Sequence, residues 1–297
     1  MAAALRLGLA GAGRWGRNYI RTIAGLGGVR LARVASGNPE TKPLVPADCQ
    51  VVGSWHELID AAALDGLIIS TPPATHAEIA RAAIRQRIPV LIEKPLALSA
   101  ADARGVRDLA NQRGVYALVE HTHLFSPAFR ALKGLLARYG GVREIRSEAG
   151  NHGPYRRDVS VLWDWGPHDV AMCLDLMQAA PTTVTCSVEK RDGPAQTVSL
   201  ALAFPSGVTA SILLSNMRDK TRRFAVRCAK AELVYDDLSA QKLLVDGSPV
   251  PIAGELPLTV AVRQFAATIA ARGTDRSSLD LAVSVVEVLE ACGPAAS

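Results

Sequence analysis

A short apolar run, Leu5 to Ala10, leads directly into Gly11-Ala12-Gly13-Arg14-Trp15-Gly16, and an amphipathic stretch with Ile20, Ile23 and Leu26 on one side follows. A G-x-G-x-x-G sequence set between a strand and a helix leaves few folds open. Gly11 permits the tight turn, Gly13 lets a pyrophosphate approach the backbone, and Gly16 lets the helix pack on the strand. The helix N–H groups then face the phosphates, with Arg14 and Trp15 beside them.

The pattern after the turn extends that unit. Strands at 29–35, 50–53, 67–70, 89–93 and 115–120 alternate with helices at 55–62, 75–86 and 99–113, which predicts a doubly wound parallel sheet. An acidic residue at the end of the second strand would normally accept the ribose hydroxyls of NAD. Here Ser36-Gly37-Asn38 stands instead, with Arg33 and Lys42 nearby. Without an acid to repel it, a 2′-phosphate fits at Ser36 and the backbone amides, countered by Lys42, so NADP is expected ahead of NAD. Thr71-Pro72-Pro73-Ala74-Thr75-His76 breaks the next strand and should lie along the cofactor, with Thr75 as a helix N-cap and His76 toward the nicotinamide.

The apolar run 88–92 closes on Glu93-Lys94-Pro95 before Ser99 opens a helix. Ligands in open parallel sheets bind beyond the carboxyl ends of the strands, so Lys94 is placed where cofactor and substrate would meet. Pro95 fixes its own φ and is able to take the cis form.

Composition narrows the function classes. At 297 residues, 49% of them apolar, the chain is long enough for two domains, divided near residue 120 as 1–120 and 121–297. No apolar run reaches membrane-span length and the first nine residues lack a signal-peptide core, so a cytoplasmic location and no membrane partner are expected. Cys49, Cys173, Cys186, Cys228 and Cys292 are scattered and read as reduced packing residues. A net charge of +5 with Arg14, Arg17 and Arg21 near the glycine turn favours small anionic ligands over nucleic acid.

Beyond residue 120 the pattern changes. A helix near 126–138 and a strand near 142–150 precede the polar segment Asn151 to Asp158. There Arg156, Arg157 and Asp158 are candidate substrate contacts. Trp163-Asp164-Trp165-Gly166-Pro167-His168-Asp169 follows. Pro167 suits a first helical turn, which would place His168 at a helix N-terminus, where the dipole keeps its imidazole neutral and able to act as a base. Asp164 is placed to orient it or to bind a substrate hydroxyl. Strands at 182–190, 196–204, 208–215, 221–228, 231–236 and 241–245 imply a largely antiparallel sheet, and helices at 257–271 and 279–292 close the chain. One open face of such a sheet needs covering, so a homodimer or homotetramer is expected. His121 and His123 would share a strand face, yet no ligand spacing supports a metal centre, and none is expected.

Gly11 to Gly16, the Thr71–His76 loop, Glu93-Lys94-Pro95, Val119-Glu120-His121-Thr122 with Ser126-Pro127, and Trp163 to Asp169 together resemble the glucose–fructose oxidoreductase/inositol dehydrogenase/rhizopine catabolism (Gfo/Idh/MocA) family in order and spacing. The resemblance implies an α/β chain with an N-terminal Rossmann dinucleotide-binding domain. It also implies a C-terminal α+β domain whose open, mostly antiparallel sheet is used for oligomerisation. The implied activity is hydride transfer between NAD(P) and a carbinol or carbonyl of a sugar, polyol or sugar nucleotide. By matching position, Lys94 would bond the reacting oxygen, His168 would be the general acid/base, Asp164 would assist, and His121 would lie on the substrate side. An NAD-dependent glycoside hydrolase of the same fold, or a cofactor-sensing protein without chemistry, are the other readings. The chain departs from the family at His123-Leu124-Phe125, where a Tyr or Arg is often found.

Overall fold

The computed structural model describes residues 4–60, 64–153, 155–156 and 159–293. The chain forms two compact units: residues up to Glu120 with Leu256–Val283, and His121–Glu255 with the residues from Ser284 on.

In the first unit β1 (Leu5–Ala10), β2 (Val29–Ala35), β3 (Gln50–Val52), β4 (Gly66–Ile69), β5 (Val90–Glu93) and β6 (Ala117–Glu120) form one parallel sheet in the order β3-β2-β1-β4-β5-β6. Helices α1 (Gly16–Ala24), α2 (Trp55–Asp60), α3 (His76–Arg85) and α4 (Ala100–Arg113) connect them. Every residue of β4, β5 and β6 is buried, as expected of strands covered on both faces. The strand order reverses between β1 and β4. Register aligns Ala10 with Ile69, Ile69 with Ile92, and Glu93 with Glu120. Gly11, Thr71, Lys94 and His121 therefore all leave from one edge of the sheet, the edge where such folds take ligands. Ser99 caps α4, accepting from the Asp102 amide at 3.1 Å, and Gly114 ends it with φ +62°.

Residues 256–283 fall outside the linear division at residue 120. Helix α7 (Pro257–Ala270) belongs to the first unit because its apolar side packs there. Phe265 is buried and stacks on Tyr116 with centroids 5.9 Å apart, and with Ile269 it fills the space that a side chain at Gly66 would need.

The second unit holds α5 (Pro127–Leu135), β7 (Val142–Gly150), α6 (Val161–Met177), β8 (Thr183–Asp192), β9 (Ala195–Ala203), β10 (Thr209–Ser215), β11 (Thr221–Cys228), β12 (Glu232–Asp236), β13 (Leu243–Val245) and β14 (Ser248–Pro249). The last helix, α8, spans Ser277–Ala291. The eight strands run β14-β13-β12-β11-β7-β10-β9-β8, antiparallel except where β7 and β10 pair in parallel. Helix α6 packs on one face, against β7, β9 and β10. The other face is polar: Glu144 takes Arg146 at 2.8 Å and Arg227 at 2.7 Å, and Thr183, Thr185 and Ser187 are exposed.

Two local expectations are corrected here. The helix carrying His168 begins at Val161, not at Pro167, because Val161, Leu162 and Trp163 bury apolar surface and extend it toward its N-terminus. Pro167 is an interior proline and His168 lies two turns into α6, beyond the reach of the N-terminal dipole. His121 and His123 do not share a strand face either, since β6 stops at Glu120 and Thr122–Phe125 form a 3-10 turn. Among the described residues no helix is long and apolar enough to cross a membrane.

Candidate active site

The first unit gathers its candidates at the carboxyl edge of β1, β4 and β5. Gly11 has φ +91°, and a Cβ there would stand 2.7 Å from the Ser70 carbonyl oxygen, while one at Gly16 would run into the Gly11 carbonyl. Only glycine lets the turn close this tightly. A Cβ at Gly13 would meet nothing within 4 Å, so the backbone there faces open space. Helix α1 begins behind it with no side-chain cap from Trp15. An open turn at an uncapped helix start suits a pyrophosphate, and the residues fit a dinucleotide.

Glu93 fastens this turn to the lysine strand. Its Oε1 accepts from the Trp15 indole N–H and, at 2.6 Å, from the Tyr19 hydroxyl. Burial lifts the Glu93 carboxyl above the ordinary range, against the pull of Tyr19, Lys94 and Trp15. Trp15 itself is 41% exposed. Lys94 is half-buried and its bond to Pro95 is cis. His76 is buried, with Nδ1 2.8 Å from the Pro95 oxygen and Nε2 2.8 Å from the Thr71 oxygen. Both ring nitrogens are engaged by backbone, so His76 braces the loop and the lysine turn and leaves none toward a nicotinamide. Thr75 stands at the start of α3 without capping it; its hydroxyl donates to Thr71 Oγ1 at 2.7 Å and lies 2.8 Å from the Pro72 oxygen.

At the end of β2, Ser36 Oγ lies 2.8 Å from Thr41 Oγ1 and accepts from the Asn38 amide, while Asn38 Oδ1 caps the following 3-10 turn through the Glu40 amide. Gly37 faces open space. Lys42 turns away and donates to the Cys49 carbonyl at 3.3 Å, so the expected cation over Ser36 is not the one placed there. Arg17 reaches this turn instead, pairing with Glu40 at 3.8 Å.

In the second unit Asp164 and His168 sit one turn apart on one side of α6. Arg156 Nη1 lies 3.3 Å from Asp164 Oδ1; Arg157 and Asp158 lie outside the described residues. His121 is buried at the foot of the 3-10 turn. His123 meets His168 edge to face, centroids 5.1 Å apart, and its Nδ1 is 2.9 Å from the hydroxyl of buried Tyr235. Burial, reinforced by the charge of Asp237, holds the Tyr235 phenol far above its usual range, so it stays protonated. The Arg222 guanidinium lies 4.5 Å over the Trp165 ring. Asp169, buried, accepts from Ser147 Oγ at 2.5 Å, and burial pushes its carboxyl up to about 6. His123, Tyr235, Trp165, Arg222 and Asp169 complete the cluster; the sequence reading named His123 and the Trp165–Asp169 stretch but gave none of the five a role beside His168. Arg222 belongs to a run that alternates like an exposed strand, and only the pairing of β11 with β7 shows which arginine turns inward. Among the described residues no three His, Cys, Asp or Glu side chains gather as metal ligands would.

Residues 5–121 match the sequence profile of an oxidoreductase family with an NAD-binding Rossmann fold, and residues 129–234 match a Gfo/Idh/MocA C-terminal domain. A crystal structure of a candidate oxidoreductase from Magnetospirillum magnetotacticum MS-1 is 46% identical and superposes with a TM-score of 0.93, covering 98% of this chain and 100% of that one. UDP-N-acetylglucosamine 3-dehydrogenase from Acidithiobacillus ferrooxidans is 27% identical over 227 residues, 75% of this chain and 71% of the relative. Inositol 2-dehydrogenase from Rhizobium meliloti is 27% identical over 275 residues, 87% of this chain and 78% of the relative.

Proposed function

This chain belongs to the Gfo/Idh/MocA family of oxidoreductases, and we propose that it interconverts a carbinol and a carbonyl on a sugar, polyol or sugar nucleotide, using NADP in preference to NAD. The observation that carries the reading is the Glu93 carboxyl, which binds Trp15 and Tyr19 and so locks the glycine turn to the strand that ends in Lys94. A lysine next to a carboxylate fastened to the glycine turn supports a role for Lys94 in chemistry at a dinucleotide held there. The relatives that act on inositol and on UDP-N-acetylglucosamine support the substrate class.

When bound, the nicotinamide takes up or returns the hydride. The Gly11–Gly16 turn and the start of α1 hold its phosphates, and Thr71 and Pro72 line it. Ser36, Gly37, Asn38 and Arg17 form the seat for a 2′-phosphate, with Arg17 exchanging Glu40 for the ligand. Lys94 donates to the reacting oxygen and stabilises the negative charge that grows there. His168 exchanges the hydroxyl proton, and Asp164 orients it across one helical turn. His121 and Arg156 are assigned to the substrate side. The polar outer face of the eight-stranded sheet is the surface assigned to self-association.

Purified chain screened against polyols, free sugars and nucleotide sugars with both oxidised cofactors should give absorbance from reduced nicotinamide with at least one class. Lys94→Met and His168→Ala should each lower kcat by about 10²-fold or more while leaving cofactor affinity unchanged. Full turnover in both variants would remove the assignment, and tighter NADH than NADPH binding would remove the cofactor preference.

A further inference from the structure

Strand β11 carries Arg222, Arg223 and Arg227, and its pairing with β7 sorts them by face. Arg223 and Arg227 stand opposite Glu148 and Glu144 on the polar side, and each has an acid, Glu232 at 3.9 Å and Glu144 at 2.7 Å. Arg222 stands opposite Ala149, on the side where Phe224 and Val226 are buried, and its guanidinium lies 4.5 Å over the Trp165 ring. Trp165 comes three residues before His168 on α6, so Arg222 sits about one helical turn from His168 and on its side of the helix.

The inward arginine is the one whose charge is left unanswered. Among the described residues it forms no ion pair, and its guanidinium makes one hydrogen bond, from Nη1 to the Thr221 carbonyl oxygen at 3.3 Å. Burial lowers its pKa, and Asp169, Asp164 and Asp237 act against that from a distance. Each of these acids is turned to another donor: Asp169 to Ser147 at 2.5 Å, Asp164 to Arg156 at 3.3 Å, and Asp237 to Lys242 at 3.0 Å. A guanidinium offers its N–H donors as a planar fork, and a cation drawn out of water is ordinarily paired. Arg222 is half-buried, so a ligand still reaches it, and most of its fork has no acceptor among the described residues.

We propose that Arg222 binds an oxyanion on the substrate, a carboxylate or a phosphate, and so selects acidic sugars, sugar phosphates or sugar nucleotides over neutral sugars and polyols. The proposal rests on the carbinol–carbonyl reading given above. The fork matches two oxygens of such a group, and the Trp165 ring holds the guanidinium in place to receive them. A substrate anchored there has its anionic group about one helical turn from His168, which leaves the rest of the sugar to span the distance to the proton-exchanging imidazole.

The test titrates the full chain, loaded with whichever reduced nicotinamide it binds more tightly, with glucose, glucuronate, glucose 6-phosphate and UDP-glucose. The reduced cofactor does not oxidise these sugars, so calorimetry reads affinity alone. At least one anionic probe should bind about tenfold tighter than glucose or more, and its identity tells carboxylate from phosphate monoester from diphosphate. Arg222→Met should weaken that probe about tenfold or more and leave glucose within about twofold. Arg222→Lys keeps the charge and loses the fork, so it serves where the methionine variant does not fold, and it should weaken the same probe about threefold or more. No anionic probe preferred over glucose, or a preference that survives in the variants, would overturn the proposal. The two readings fail separately. A chain that oxidises neutral sugars and shows no anionic preference keeps its activity and loses the role of Arg222, whereas one that shows the preference but oxidises no carbinol with either oxidised cofactor keeps the anion site and loses the activity.

Discussion

Asp169 sits fully buried against Ser147, and its carboxyl is raised from the ordinary 3.8 to about 6, first by desolvation, with the Ser147 hydroxyl and Arg222 pulling the other way. An acid whose folded value is raised binds its proton more tightly in the native state. Its contribution to stability is full below the unfolded value near 3.8 and is lost as the pH rises through about 6. Relative to Asp169→Asn, the wild type should lose about 2 kcal/mol between pH 4 and pH 7.5, read by denaturant melts at both ends; a constant difference would contradict this. His123 makes a second expectation at this scale. The His123 ring packs edge to face on His168, with centroids 5.1 Å apart, and so holds the orientation of that imidazole. His123→Ala should lower kcat about tenfold while leaving cofactor affinity unchanged, and an unchanged kcat would reduce His123 to packing.

The elements were more legible than the side chains they carry. The strands of the parallel sheet and the turn at Gly11 follow from apolar runs broken by glycine, and the structure sets them within a residue or two of the sequence reading. Ser99 and Gly114 mark both ends of α4 as local capping chemistry predicts. Helix α6 was misread because proline at a first turn is the commoner local rule, and the burial of Leu162 and Trp163 that overrides it is a tertiary fact. Lys42 shows the same limit. Its position near Ser36 in sequence gave no sign of the Cys49 carbonyl it binds, because that partner comes from the segment leading into β3. Glu93 likewise could be placed at a strand end, but its two donors on the glycine turn become visible only once β1 and β5 are flanking strands of one sheet.

At the scale of the molecule, linear order hides the return of residues 256–283 to the first unit. Phe265 is completely buried there against Tyr116 and beneath Gly66. Phe265→Ala should cost about 3–5 kcal/mol in a denaturant melt, since the wall of aromatic and aliphatic groups around it has little room to collapse. A loss under about 1 kcal/mol would mean that α7 is a loose cover and not part of that core. The exposed indole of Trp15 has a practical consequence of another kind. It stands at the mouth of the glycine turn, and reduced nicotinamide absorbs in the band where tryptophan emits. A dinucleotide seated there would quench the ring by energy transfer, so the chain carries an optical gauge of cofactor occupancy that can be read, with Trp15→Phe as its blank, before any substrate has been found.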